Sequence, residues 1–111
     1  MDDYVPTPFN NSEKQESDQT IIRIIIEGRV QKVGFRNWML ERAKHYKLNG
    51  WVRNKSDESV EALLAGPSIA VEEVITQAYH GPPFASVKRI KRFPESSLSN
   101  RTKGFSILPT I

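Results

Sequence analysis

The stretch GRVQKVGFR, Gly28 to Arg36, places two glycines, one lysine and two arginines between an apolar segment and the start of an amphipathic one. A plain connection needs only a turn, so these residue types ask for a chemical reason. A chain that leaves a strand and enters a helix directs several backbone N–H groups outward, because the first four amides of a helix have no intrahelical acceptor. Those amides and the positive end of the helix dipole form a seat for an anion. Glycine lets the backbone approach a ligand closely, and Arg36, in the first helical turn, can lay two parallel hydrogen bonds on phosphate oxygens. The residue types alone equally allow a glycine-bearing connection whose arginines face solvent.

Other chemistry finds little support. With no cysteine, the chain has no disulfide scaffold, thiolate nucleophile or Cys-ligated zinc. His45 falls late in a helix and His80 at a helix end, positions that suit surface or capping roles. GPSIA around Ser68 lacks the second glycine of a hydrolase elbow. The run KRIKR, Lys88 to Arg92, reads as a solvated strand face, with attraction of a substrate as the alternative. No metal or cofactor is implied.

The elements that must position the loop follow from hydrophobic period. IIRIIIE, Ile21 to Glu27, has the β-branched composition of a central strand. Phe35, Trp38, Met39, Arg42, Ala43 and Tyr46 recur at helical spacing and predict a helix from about Phe35 to Tyr46. LNGWVRN (Leu48 to Asn54) and SVEALLAG (Ser59 to Gly66), separated by KSDE, read as a hairpin. Ser68 is the expected N-cap of a second helix, with Glu72 and Glu73 in its first turns and Val71, Val74, Ile75 and Ala78 on its buried stripe. HGPP ends that helix, Gly81 taking the left-handed cap. SVKRIKRF (Ser86 to Phe93) reads as a fourth strand. Val87 and Ile90 are three apart, so it needs a bulge or a late start. GFSIL (Gly104 to Leu108) can add a short edge strand. The order β-α-β-β-α-β predicts an α/β (α+β) ferredoxin-like sandwich, an antiparallel sheet with both helices on one face.

At 111 residues one core is expected, and it spans residues 21–111. Met1 to Thr20 holds five acidic residues against Lys14 alone and reads as a disordered acidic tail. From Thr20 onward 15 Lys/Arg face 8 Asp/Glu, a net +7 against +3 for the whole chain, so an anionic partner is expected. The start lacks the basic and apolar regions of an export signal, and no apolar run approaches a membrane span. The cytoplasm is the expected location, with no membrane partner.

GRVQKVGFR, followed by NGWVRN, SVEALLAG and HGPP, resembles the acylphosphatase family, whose signatures run approximately G-x-V-Q-G-V-x-F-R and G-W/F-V-x-N-x-x-x-G-x-V. The likeness covers roughly Ile22 to Phe93. It implies a metal-independent enzyme, acting as a monomer, that hydrolyses a small acyl phosphate to a carboxylate and inorganic phosphate. By the matching positions, Arg36 and the loop residues Gln31, Lys32, Val33, Gly34 and Phe35 would bind the phosphoryl group, and Asn54 would orient the attacking water. Without that likeness, Asn54 is an ordinary strand-end residue before a turn.

Three positions depart from the pattern: Lys32, Lys47 and Glu58 stand where relatives commonly carry glycine. Any of them held in a left-handed conformation costs roughly 1–2 kcal/mol. Lys32 matters most, because its side chain stands beside the presumed phosphate seat. Two rival readings share the topology. One is a catalytically weak regulatory domain. The other is an RNA-binding module, opposed by the lack of aromatic residues in the first and third strands on which bases would stack.

Overall fold

The computed structural model describes residues 18–96 and 103–111. The isoleucine run forms β1 (Gln19–Arg29), and strand alternation sends Ile22, Ile24 and Ile26 to one face, where all three are buried. Across the antiparallel pairing with β3 (Val60–Pro67) they meet Leu64, Ala62 and Val60. Beyond β3, in β2 (Asn49–Asn54), Val52 continues the same apolar row. β4 (Ser86–Pro94) pairs with the other side of β1, and β5 (Phe105–Ile107) lies along β2, giving the order β4-β1-β3-β2-β5.

Two helices cover this face. α1 (Phe35–His45) packs on β2 and β5, and α2 (Ser68–Ala78) packs on β3 and β1. Phe35, Met39 and Ala43 of α1 and Val71, Val74, Ile75 and Ala78 of α2 enter one core with the strand residues. Full burial of each large aliphatic side chain stabilises by about 1.5–3 kcal/mol. At the α1–α2 seam the Gln77 Nε2 amide donates to the Tyr46 hydroxyl at 3.1 Å. Among the described residues, no helix is long and apolar enough to cross a membrane.

The helix-free face sets ion-paired charges among apolar residues such as Ile25, Leu63 and Ala65. Glu61, 4% exposed, accepts from Arg53 at 2.8 Å and from Arg23 at 3.2 Å. Those guanidiniums lie over the rings of Trp51 and Phe93, respectively. On β4, Arg89 and Lys91 pair with Glu27, while Arg92 pairs with Glu72 of α2. The ion-paired cations of the KRIKR run thus lie on both faces of the strand, Arg89 and Lys91 on the helix-free side and Arg92 on the helix side.

Several expectations change in detail. Gln19 and Thr20 already belong to β1, so strand pairing begins before Ile21, and residues 1–17 of the expected tail lie outside the described residues. Ser68 is not the N-cap but the first helical residue. Pro67 holds the cap position with no side-chain cap bond, and the Ser68 hydroxyl is hydrogen-bonded to that of Thr20. Glu72 and Glu73 fall in the second turn of α2, within the first turns expected for them. The sheet is not wholly antiparallel, because β5 runs parallel to β2 with Phe105 opposite Gly50. The β4 bulge is where the spacing of Val87 and Ile90 required it: Glu27 faces Arg89 and Gly28 faces Val87, leaving Lys88 as the extra residue. Gly28, at φ 130, is needed there, since a Cβ would stand 2.2 Å from the Ser86 carbonyl oxygen. Gly81 takes the left-handed conformation expected of it, at φ 63.

Candidate active site

Two buried anchors shape the loop between β1 and α1. Val30 and Phe35 are each 1% exposed, so the chain is pinned at both ends, and residues 31–34 arch between them. Trp38 meets the Phe35 ring edge-on at 5.4 Å and steadies the helix start. Within the arch Lys32 has φ 63 and Gly34 has φ 82, two left-handed residues separated by one. A Cβ on Gly34 would meet nothing within 4 Å, so glycine is required there by backbone angle and leaves open space above it. The first intrahelical bond is from Trp38 N–H to the Gly34 carbonyl, at 3.0 Å. Among the described residues, the amides of Lys32 through Asn37 have no backbone acceptor.

Gln31 does something else. Its Nε2 donates to the carbonyls of Lys55 and Ser59, both at 2.8 Å, which ties the arch to the β2–β3 turn. That turn follows Asn54 directly. The Asn54 carbonyl accepts from Ile111 N–H at 3.2 Å, and Ser56 N–H donates to the Ile111 carbonyl at 2.7 Å. The turn is tightened by Asp57, which accepts from the Ser59 hydroxyl at 2.6 Å and the Ser59 N–H at 3.0 Å. These bonds from Ser59 hold the Asp57 carboxyl below its ordinary pKa. Glu58 in this turn is left-handed at φ 76, as is Lys47 after α1 at φ 57. All three non-glycine departures thus carry the strain anticipated for them.

A pocket of about 210 Å³ opens where the arch, the start of α1 and the end of β2 converge. Lys32, Gly34, Phe35, Arg36 and Asn54 line it together. Gln31 and Val33 do not line it. The Arg36 guanidinium and the Asn54 side-chain amide make no hydrogen bond or ion pair with any other described residue. Among the described residues no acidic side chain lines this pocket, so the half-buried arginine shares it with amides that lack backbone acceptors, an arrangement suited to an anion. Val30, Asn37 and Ile107 complete the lining and were not anticipated. Asn37 had a signal, one residue past Arg36 in the first helical turn. Ile107 had none, because its place depends on the parallel docking of β5.

A larger open groove, of about 720 Å³, lies between the bulge and the β2–β3 turn. It is lined by Glu27, Asp57 and Glu58 as well as by Arg29, Lys88 and Arg89, so its charges balance, and no uncommitted helix-start amides face it. The smaller pocket is instead lined by two basic side chains and no carboxylate. Among the described residues, no group of acidic, histidine or cysteine side chains is placed to hold a metal ion.

The fold and pocket define a class: a ferredoxin-like α/β sandwich with a small basic pocket where the first strand passes into the first helix. Comparison with known proteins narrows it. The acylphosphatase family profile matches residues 22–107. An acylphosphatase of Nitrobacter winogradskyi is 42% identical over 97 residues, covering 84% of this chain and 98% of the relative. The crystal structure of acylphosphatase from Bacillus subtilis superposes with a TM-score of 0.75 at 40% identity, covering 79% of this chain and 97% of that one. A structure of full-length HypF, in phosphate- and nucleotide-bound form, matches with a TM-score of 0.74 at 26% identity; 83% of this chain corresponds to 12% of that one. The chain belongs to the acylphosphatase family, and it is an enzyme that hydrolyses acyl phosphates.

Proposed function

We propose that the pocket between Gly34, Arg36 and Asn54 is where this chain carries out the reaction. The observation that carries the assignment is that two polar side chains without partners among the described residues, Arg36 and Asn54, share one small cavity with a row of uncommitted amides. The phosphoryl oxygens accept hydrogen bonds from the amides of Lys32, Gly34, Phe35 and Arg36 and from the Arg36 guanidinium. The Asn54 amide orients a water for attack on phosphorus. As the new P–O bond forms, the bond to the acyl oxygen breaks, and the carboxylate leaves with the electron pair. The water's proton passes to a phosphoryl oxygen.

This arrangement matches the demands of the chemistry. A carboxylate has a conjugate acid pKa near ~4, so it departs without a general acid. The transition state spreads charge over the phosphoryl oxygens, where fixed amides and a guanidinium act by position and electrostatics. Gln31 supports the site indirectly, as a strut holding the arch to the turn after Asn54.

The reading extends to a monomer working in the cytoplasm with no nucleic-acid partner. In support of the last point, the helix-free face has no aromatic residue on β1 or β3, and Trp51 and Phe93 each lie beneath an arginine. Neither ring is bare for a base to stack on. Inorganic phosphate tests the assignment as a product ligand. Its binding should be lost in Arg36→Ala and kept in Asn54→Ala, while hydrolysis of benzoyl phosphate falls in both. Phosphate binding unchanged by Arg36→Ala would refute the cradle.

A further inference from the structure

We infer that Lys32 and Arg29 select acyl phosphates whose acyl part carries a second negative charge. The inference rests on the placement of the phosphoryl group in the Arg36 cradle.

Lys32 sits at φ 63, where glycine would rest without strain, so the backbone gains nothing from a lysine there. Its side chain is exposed and bonds to no other described residue, so it does not serve the fold either. Its position suggests what it serves. Lys32 lines the cradle pocket and also a neighbouring groove of about 280 Å³, forming the ridge between them. Arg29, exposed and likewise without a bonded partner among the described residues, borders the charge-balanced larger groove beside Glu27 and Asp57 and also lines this neighbouring groove with Lys32 and Glu58. The groove therefore carries a net positive charge.

The cradle pocket, at about 210 Å³, is smaller than the roughly 300–1,000 Å³ of ordinary small-molecule sites. Once a phosphoryl group fills its amide end, an acyl group of any size must cross the rim. A substituent crossing at Lys32 passes between a mobile ammonium and a guanidinium. An uncharged acyl group has no use for either cation, whereas a distal carboxylate or phosphate is held by both. Because the pair is solvent-exposed, the discrimination should be roughly 3- to 10-fold and sensitive to salt.

The test compares benzoyl phosphate with 4-carboxybenzoyl phosphate, which share a rigid ring and differ in one distal charge. The quantity read is the ratio of kcat/KM for the carboxylated substrate to that for the plain one. In Lys32→Gln this ratio should fall about 5-fold, in Lys32→Arg it should be restored, and raising the salt to about 0.5 M should remove the difference. Arg29→Gln, which lies outside the cradle, should lower the same ratio while leaving benzoyl phosphate hydrolysis unchanged. Glutamine keeps a side chain at position 32 with the same backbone strain, and matched melting curves confirm that the fold is retained. A ratio unchanged in both Lys32→Gln and Arg29→Gln overturns the inference. Arg36→Ala separates the two levels of argument. If it abolishes turnover of both substrates while the ratio ignores Lys32 and Arg29, only the selectivity inference falls. If Arg36→Ala spares both substrates, the cradle falls and the inference falls with it.

Discussion

The molecule makes the strand-to-helix passage twice, and the two passages differ. From β3 to α2 there is no loop: Pro67 ends the strand and Ser68 begins the helix. Ser68 N–H donates to the Asp18 carbonyl at 3.0 Å, and its hydroxyl bonds Thr20, so this helix start is fastened to the neighbouring chain. From β1 to α1 the chain takes an arch with two left-handed residues, leaves its amides without backbone acceptors, and places Arg36, without a bonded partner among the described residues, in the same pocket. Both helices have an electropositive start. A helix dipole alone therefore does not distinguish the two starts; the amides left without backbone acceptors beside a cavity, and the cation lining that cavity, do.

Substitution at the two passages should break the symmetry. Arg36→Ala and Asn54→Ala should each lower kcat/KM by about 10²-fold or more, by analogy with removing a preorganised oxyanion donor. Ser68→Ala, at the corresponding start of α2, should leave turnover of benzoyl phosphate intact. Equal losses at both starts would defeat the contrast. Gln31→Ala should come next, lowering kcat by roughly 10-fold, because misplacing the arch relative to Asn54 spoils alignment without removing a ligand. A mutant of Gln31 with wild-type kcat would remove its role as a strut.

Strain marks the next level. Lys32, Lys47 and Glu58 share a left-handed backbone, but only Lys32 lies at the cradle. Lys47→Gly and Glu58→Gly should each stabilise by about 1 kcal/mol, raising Tm by roughly 4–8 °C. Lys32→Gly should stabilise similarly and also change substrate affinity. If thermal melts and KM are both unmoved at position 32, the account of that residue is wrong. The smallest effect is on pH. The Asp57 carboxyl is held below its ordinary pKa by Ser59, so its contribution is present above the unfolded value of 3.8 and is lost as pH falls through the lower folded value. Thermal melts between about pH 5 and pH 2 should show a small acid loss that Asp57→Asn flattens.

Much of this was legible in the residues because local and tertiary demands agree. The alternation of Ile22, Ile24 and Ile26 gives both the strand and its buried face. The three-residue gap between Val87 and Ile90 announces the bulge, since both must face inward. The amide cradle follows from a basic, glycine-bearing loop entering a helix. Less legible were features set by partners distant in sequence. The parallel docking of β5, and with it Ile107 in the pocket wall, depends on pairing with a strand more than fifty residues earlier. The Gln31 side chain binds carbonyls of another turn, and nothing local distinguishes that role from a ligand contact. Ser68 looks like a cap by type, but the hydroxyl of Thr20 engages it instead.

The bulge at Lys88 has a bearing on how chain length can vary in this fold. Elsewhere in the sheet, dropping one residue would turn every following side chain to the wrong face. At this point the partner strand has no residue opposite the extra one, so its deletion leaves Val87 facing Gly28 and Arg89 facing Glu27 in ordinary succession. The outer edge of the sheet thus holds a place where one amino acid can be gained or lost without scrambling inside and outside.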